Sequence, residues 1–281
     1  MAAPAVPYYG VAVSTRLIER PMPRLAANLG YLFAERPLLE RFRAAAACGF
    51  EAVELTFPYA EEASAVRREL DRHGLQVLGI NTPLGAAGEP GVAGIPGRER
   101  DFDAMFRQAL DYAITIGAGA IHCMTGQLST AALESEGLQV FAANLARAAD
   151  LAGERGITIL IEPINRRDRP GYVVYRPEQA AAVIAGLGRA NVRIQFDFYH
   201  VQIEGGDLTA RFAQHLPVTG HIQIAAVPSR AEPDEGEVNY AAIFDMIDAS
   251  GYRGFVGCEY KPRGRTEDGL GWAQRYGIAA A

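Results

Sequence analysis

Cysteine and unbroken apolar sequence are both scarce in this chain of 281 residues. Its three cysteines, Cys48, Cys123 and Cys258, have no metal-like spacing and stand among apolar neighbours. We therefore expect buried, reduced thiols in a cytosolic protein. No apolar run approaches the roughly 20 residues that a membrane helix needs, so we predict no membrane attachment.

Positive charge is also in short supply. Lys and Arg number 27 against 33 Asp and Glu, which gives a net charge of −6, and no basic run occurs. This balance argues against a nucleic-acid partner. With 49% hydrophobic and 21% charged residues, the composition is that of a globular protein with one large α/β domain or two small ones.

The first part of the chain differs from the rest. Residues 1–24 are rich in proline and have no clear hydrophobic period, and their basic residues follow the apolar ones, the reverse of a signal peptide. We predict an N-terminal extension over residues 1–24 and one catalytic domain over residues 25–281.

From Leu25 onward, short apolar runs alternate with helical segments. Pro37 precedes the first helical segment, and Gly49 and Gly74 follow the first two, as is usual at helix starts and ends. The pattern predicts eight strands alternating with about eight helices, a single (β/α)8 TIM barrel of the α/β class. A doubly wound open sheet is the alternative, but it usually has a Gly-rich fingerprint after its first strand, and ANLGYLF is not one.

The central stretch is Ile157–Asn165, ITILIEPIN, an apolar run that ends in Glu162 and Pro163. Such a run is typical of a strand buried on both faces, and a carboxylate at its end is costly to bury without a metal or a partner. Val192–Asp197 and Phe255–Glu259 repeat the pattern and also end in acids.

In TIM barrels the functional groups lie at the C-terminal ends of the strands. The polar residues at those positions are Glu54, Asn81, His122, Glu162, Asp197, Gln223 and Glu259. Four of them, from consecutive strands, are expected to converge and to offer three carboxylates and one amide: Glu162, Asp197, Gln223 and Glu259. Oxygen ligands of this kind predict a hard divalent cation, Mg²⁺ or Mn²⁺.

The motifs LIEPIN, DFYH, HIQIA, GEVNY and GYRGFVGCEYKP resemble those of the hydroxypyruvate isomerase family. That family is a branch of the xylose isomerase-like TIM barrels, which include 2-oxo-tetronate isomerases and ketose 3-epimerases. The resemblance extends from about Leu25 to Tyr276. One departure is the stretch after the third strand, INTPLGAAGEPGVAGIPGRE, which lacks the tryptophan that we associate with this loop in the family and bears on the choice of substrate.

The resemblance implies a role for several residues. Glu162 and Glu259 would be the acid/base pair and also metal ligands, with Asp197 and Gln223 completing the metal shell. Glutamine at position 223 favours the isomerases, since the sugar epimerases typically have histidine there. His200 matches a histidine that contacts a substrate oxygen, Arg230 falls near an arginine that reaches the substrate, and Asp168 matches an acid that orients a catalytic neighbour.

Alternatives stay open at several positions. His122 is expected either to contact substrate or to be a hydrogen-bonded structural histidine, and Arg230 either to bind an anionic substrate or to be solvated. Glu54 is a candidate substrate residue or a support for the site, and Asn81 a candidate substrate contact. His221 should face the same side of its strand as Gln223, where it would pack in the barrel or support the metal shell.

These residues fit the movement of a carbonyl between neighbouring carbons, because a divalent metal stabilises the enediolate while a carboxylate removes the proton. We predict a cytosolic isomerase of a small hydroxy-oxo acid, with hydroxypyruvate to tartronate semialdehyde as the type reaction. The alternatives are a 2-oxo-tetronate isomerase, a ketose 3-epimerase and a non-catalytic sugar-acid-binding barrel. A barrel endonuclease of abasic DNA would need clustered zinc ligands and a basic face, which the sequence lacks. Barrels of this type often form dimers or tetramers.

Overall fold

The protein is described by a computed structural model that covers residues 23–86 and 88–280. Eight parallel strands close into a barrel in chain order, with β1 hydrogen-bonded to both β2 and β8. The predicted TIM barrel is therefore confirmed. The strands are β1 (Arg24–Asn28), β2 (Ala52–Leu55), β3 (Gln76–Asn81), β4 (Ala120–His122), β5 (Thr158–Ile161), β6 (Val192–Asp197), β7 (Thr219–Ile224) and β8 (Phe255–Cys258).

Helices surround the barrel and bury their apolar faces against the outer side of the strands. They are α1 (Leu38–Ala47), α2 (Ala63–His73), α3 (Glu99–Ile116), α4 (Glu134–Gly153), α5 (Pro177–Leu187), α6 (Phe198–Glu204), α7 (Leu208–His215) and α8 (Tyr240–Ala249). A 3-10 helical segment, Glu267–Tyr276, follows the last strand. Helix α2 ends at Gly74, whose φ of 64° is left-handed, so the predicted glycine stop is confirmed there.

Two details differ from the sequence-based prediction. The strand β1 begins at Arg24, one residue inside the predicted extension, because Arg24 pairs with Phe255 of β8 and its guanidinium lies 3.8 Å from the centroid of that ring. Helix α6 was not predicted. It is only seven residues long and begins directly after β6, where the side chain of Asp197 accepts a hydrogen bond from the backbone of Tyr199. The remainder of the predicted extension, residues 1–22, lies outside the described residues.

The alternation of side chains along each strand decides which residues reach the barrel axis. On β6, Phe196 packs outward against Phe212 of α7, whereas Gln195 and Asp197 face inward. The same period places His221 and Gln223 of β7 together on the inner side, as predicted. Polar residues two positions apart therefore form successive layers within the barrel.

The side chains of the described residues leave a cavity in the N-terminal part of the barrel. Its volume is about 590 Å³, and its lining includes the small strand residues Gly79, Gly119 and Gly220 as well as Glu54 and Gln223.

The glycine- and proline-rich loop after β3 joins the barrel to α3. Its second half is anchored, because Gly94 donates a backbone hydrogen bond to the Thr125 carbonyl at 2.7 Å and the Asn144 side chain donates to the Ala93 carbonyl at 2.7 Å. Leu84, in its first half, is exposed. The bearing of this loop on the choice of substrate remains a prediction.

All three cysteines are buried, as predicted, and no disulfide joins any of them. In the described part of the chain, no helix combines the length and the apolar character needed to span a membrane.

Candidate active site

Three acidic side chains from three strands meet at the C-terminal end of the barrel. Glu162 follows β5, Asp197 ends β6 and Glu259 follows β8. One ligand atom from each, together with a ring nitrogen of His200, forms a group whose members all lie within 4.8 Å of one another. All four residues are buried. The convergence predicted from the strand ends is thus present for the three carboxylates.

Burial and mutual repulsion make this cluster costly in its fully ionised form. Burial raises the pKa of Glu162 well above its usual value, and the charges of Glu259 and Asp197 raise it further. Burial and then the charge of Glu259 raise the pKa of Asp197 to about 7. Burial also raises the pKa of Glu259, although the charge of Arg230 opposes that shift.

Two oxygens of the cluster have unused acceptor capacity. Glu162 Oε1 and Asp197 Oδ2 are buried and find no hydrogen-bond donor among the described residues. Buried carboxylate oxygens normally have partners, so both oxygens indicate a position where a cation or a polar ligand belongs. Oxygen donors with a net negative charge fit a hard divalent cation.

Arg230 covers the cluster from the loop after β7. Its Nη2 donates a hydrogen bond to Glu259 Oε2 at 2.6 Å, and its guanidinium lies 5.1 Å and 4.9 Å from the ring centroids of Tyr31 and Tyr199. Burial lowers the pKa of Arg230, but nearby negative charges, Glu259 first, outweigh that effect and raise it overall. This position excludes the alternative in which Arg230 is a solvated surface residue. Binding of an anionic substrate by Arg230 stays a prediction.

His200 is held by a chain of hydrogen bonds that fixes which ring nitrogen carries hydrogen. The Asp168 backbone N–H donates to Asn165 Oδ1 at 2.9 Å, which leaves the Asn165 amide nitrogen to face His200 Nδ1 at 2.6 Å. Because an amide nitrogen only donates, Nδ1 accepts and Nε2 carries the hydrogen of the neutral ring. Burial and then the charge of Arg230 lower the pKa of His200 well below its usual value, so the ring is neutral.

This tautomer distinguishes His200 from a metal ligand. Its Nε2 lies 3.6 Å from Glu162 Oε1 and 3.6 Å from Asp197 Oδ2. A ring nitrogen that carries hydrogen does not coordinate a cation but donates to an oxygen. The arrangement supports the predicted contact of His200 with a substrate oxygen.

His122 lies beside the cluster at the end of β4. Its Nδ1 is 3.4 Å from Glu162 Oε2, and neither ring nitrogen has a hydrogen-bond partner among the described residues. Burial lowers the pKa of His122 to about 3, so its ring is neutral. The absence of a hydrogen-bond partner disfavours the structural role and leaves contact with a ligand as the prediction.

Gln223 and Glu54 lie one layer deeper, in what we call the floor of the site, formed by Asn28, Glu54, Gln195, His221 and Gln223. Gln223 Nε2 donates to Glu54 Oε2 at 2.8 Å, and Gln223 Oε1 accepts from Gln195 Nε2 at 2.6 Å. Ligation of a metal by Gln223 stays a prediction, as does substrate contact by Glu54, whose oxygens both accept hydrogen bonds within the floor.

The other predicted residues are divided between the site and its surroundings. Asp168 belongs to the site, since its Oδ2 accepts from the Tyr199 hydroxyl at 2.9 Å and lies 3.8 Å from Arg230 Nη1. Asn81 ends β3 and lines the cavity on the N-terminal side, and its side chain makes no hydrogen bond to the cluster within the described ranges. Substrate contact by Asn81 therefore has no support in the geometry and stays a prediction.

Sequence reasoning missed five residues of the site and its floor: Asn28, Tyr31, Asn165, Gln195 and Tyr199. Asn28 could have been found, because it ends β1 with the same inward alternation as the acids. Asn165 and Tyr199 lie within motifs already singled out, IEPIN and DFYH. Their partners come from distant parts of the chain, and no local pattern identifies those.

Known proteins resemble this chain along most of its length. Residues 42–276 match the sequence model of a family described as xylose isomerase-like TIM barrel. The 2-oxo-tetronate isomerase of Cupriavidus necator is 47% identical over 257 residues, which are 91% of this chain and 99% of that protein. The hydroxypyruvate isomerase of Escherichia coli is 42% identical over 258 residues, 91% and 100% of the two chains. A crystal structure described as AP endonuclease, family 2, from Brucella melitensis has a TM-score of 0.88 and 45% identity, and the match covers 91% of this chain and 99% of that one.

The repulsion within the cluster predicts that Glu162→Gln stabilises the metal-free protein. The pKa of Glu162 is raised on folding, so its ionised form destabilises the folded state at any pH above the usual carboxyl value, and a neutral amide removes that effect. We expect the melting temperature, measured by circular dichroism at neutral pH with EDTA, to rise by several degrees. Glu136→Gln, on the exposed surface of α4, is the control and should leave it unchanged. A lower melting temperature for Glu162→Gln would contradict the electrostatic account.

Proposed function

This chain belongs to the xylose isomerase-like TIM barrel family, and on that basis we propose that it is a metal-dependent isomerase of a small hydroxy-oxo acid. The type reaction is hydroxypyruvate to tartronate semialdehyde, and a four-carbon oxo acid is the close variant. The observation that carries the proposal is the pair of buried glutamates, Glu162 and Glu259, beside an arginine whose side chain is 16% exposed. The names of the two isomerase relatives support the same substrate class.

The residues present fit a divalent cation. Three carboxylates face one guanidinium, and two buried carboxylate oxygens have no donor among the described residues. Glu162, Asp197 and Glu259 would hold Mg²⁺ or Mn²⁺, with Gln223 as the fourth, amide ligand. When bound, the cation would supply Lewis-acid stabilisation of negative charge on adjacent substrate oxygens.

The two glutamates divide the proton transfer between them. One carboxylate removes a proton from the carbon that bears the hydroxyl group, and the electron pair of that C–H bond forms the C=C bond of an enediol. The other glutamate, in its protonated form, delivers a proton to the former carbonyl carbon, and the hydroxyl proton passes between the two oxygens. Burial raises the pKa values of both Glu162 and Glu259, and the charge of Glu259 raises that of Glu162 further, which favours a pair that shares a proton in this way.

Two further groups position the substrate. His200, neutral and with hydrogen on Nε2, donates to a substrate oxygen. Arg230 offers a guanidinium to the substrate carboxylate, and Tyr31 and Tyr199 hold that guanidinium from both sides. A ketose has no carboxylate, so the half-buried Arg230 favours an acid over a sugar as substrate.

The alternatives fit the site less well. A ketose 3-epimerase would use the same two glutamates at one carbon from opposite faces but has no need for Arg230. An endonuclease of abasic DNA needs clustered zinc ligands, and in the described part of the chain Glu162, Asp197, His200 and Glu259 form the one candidate metal group. A non-catalytic binding barrel would not require two opposed buried glutamates.

Glu259→Gln should abolish turnover without unfolding the protein. The amide has nearly the shape of the carboxylate but cannot exchange a proton, so kcat should fall by about 10²–10⁴-fold or more. Circular dichroism of the variant should match that of the parent protein. Glu136→Gln is the matched surface control. A rate near that of the parent for Glu259→Gln would show that the assignment of the acid/base pair is wrong.

Arg230→Ala should distinguish an acid substrate from a sugar. A hydrogen bond between charged groups is worth about 1.5–3 kcal/mol, so KM for hydroxypyruvate should rise by about 10- to 100-fold. KM for a neutral ketose should change little. Arg265→Ala removes an arginine whose side chain is 64% exposed and serves as the control. An unchanged KM for the acid would contradict the anchoring role.

A further inference from the structure

We propose that Glu54 is a positioning residue that orients two groups of the site at once: the amide of Gln223 and, through Asn28, the carboxylate of Glu259. The inference rests on the proposed function, because it assigns these orientations to the binding of a cation and to proton transfer. Glu54 is buried in the floor and does not belong to the carboxylate cluster itself.

Three donors converge on the Glu54 carboxylate. Its Oε2 accepts from Asn28 Nδ2 at 2.9 Å and from Gln223 Nε2 at 2.8 Å, and its Oε1 accepts from the Nε2 of His221. The floor is therefore organised around one buried carboxylate that accepts three hydrogen bonds.

This contact fixes which end of the Gln223 amide faces which way. An ionised carboxylate only accepts, so the nitrogen of Gln223 must be the atom that faces Glu54. Gln195 fixes the same orientation from the other side, because its Nε2 donates to Gln223 Oε1 at 2.6 Å. The amide oxygen has two lone pairs, and one remains for a cation. If the amide were reversed, it would present N–H hydrogens, which repel a cation.

Asn28 transmits the position of Glu54 to Glu259. Its Nδ2 also donates to Glu259 Oε1 at 3.2 Å, so each of its two hydrogens has a carboxylate partner. The orientation of Asn28 is fixed, because its Oδ1 accepts from the backbone N–H of Gly30 at 3.0 Å. Glu259 is thus held by Asn28 from one side and by Arg230 from the other.

Gly257 has no side chain and so leaves space for the Glu54 carboxylate. A methyl group added at Gly257 would come within 1.9 Å of Glu54 Oε1, and Gly257 lies opposite Gln223 in the sheet. The far side of the floor borders the cavity in the N-terminal part of the barrel, which the side chains of the described residues do not fill. The three hydrogen bonds to Glu54 and the space at Gly257 therefore determine where its carboxylate lies.

Glu54→Gln tests the proposal with two readouts. The variant keeps the shape of the side chain but adds donors, which permits the Gln223 amide to reverse. We expect the affinity for Mn²⁺, measured by calorimetry on the purified full chain without substrate, to fall about 10- to 100-fold. This is the usual effect of removing the hydrogen-bond partner of a metal ligand. We expect kcat to fall with it and KM to change much less. Glu136→Gln should match the parent protein in both.

Two further variants distinguish the loss of the Gln223 orientation from the loss of the Glu54 charge and from a general loss of structure. Gln223→Glu in the Glu54→Gln background offers oxygen at either end of the side chain, so it should recover most of the lost Mn²⁺ affinity. Gly257→Ala displaces Glu54 while keeping its charge, so it should weaken Mn²⁺ binding about as much as Glu54→Gln.

Each outcome decides a specific point. Parent-like Mn²⁺ affinity and kcat in Glu54→Gln would overturn the inference and leave the proposed function intact. Weak Mn²⁺ binding in Glu54→Gln without recovery by Gln223→Glu would overturn the orienting role. Parent-like binding in Gly257→Ala would overturn it in favour of a role for charge alone. Failure of the parent protein to bind Mn²⁺ would instead refute the metal-dependent function on which the inference rests.

Discussion

The site depends on the burial of three carboxylates in one place. Glu162, Asp197 and Glu259 repel one another in an environment that excludes most water, and a single guanidinium, that of Arg230, does not balance them. Such an arrangement persists only when the fold holds it from all sides, and it gives the protein a strong affinity for positive charge at that point. The same repulsion that destabilises the empty cluster makes it suitable for a divalent cation and for a pair of groups that exchange a proton.

The charged groups of the site are held at three levels of the barrel. Strand ends supply the three carboxylates, and the loop after β7 brings Arg230 close to them and to the rings of Tyr31 and Tyr199. The floor below provides a fourth carboxylate, Glu54, which accepts hydrogen bonds from Gln223 and from Asn28, and Asn28 also donates to Glu259. His200 enters from α6 and is oriented by Asn165. Glu259, Gln223 and His200 thus each have a partner that fixes their direction, and proton transfer between neighbouring carbons requires such fixed positions.

Sequence alone was sufficient for the barrel and for the three acids, because both follow from local rules: alternation of strands and helices, and a carboxylate at the end of an apolar run. It was insufficient where side chains from distant segments meet. Nothing local to Asn28 shows that its amide contacts Glu259, 231 positions away. Gln223 illustrates the same limit, since its position at a strand end was predictable but the partners of its amide, Gln195 and Glu54, were not. Helix α6 was missed because a seven-residue helix directly after a strand has too few residues to show a period.

The most direct test of the account follows hydrogen exchange at carbon in D₂O, by NMR, with Mn²⁺ and the purified protein. Hydroxypyruvate, a four-carbon oxo acid and a ketose would be compared under the same conditions. The account predicts that deuterium enters one of the acids while its isomer appears, for hydroxypyruvate tartronate semialdehyde. Label at C3 of the ketose, with no reaction of either acid, would contradict it and indicate an epimerase. Absence of exchange in all three, with Mn²⁺ bound, would contradict the proposed proton transfer itself.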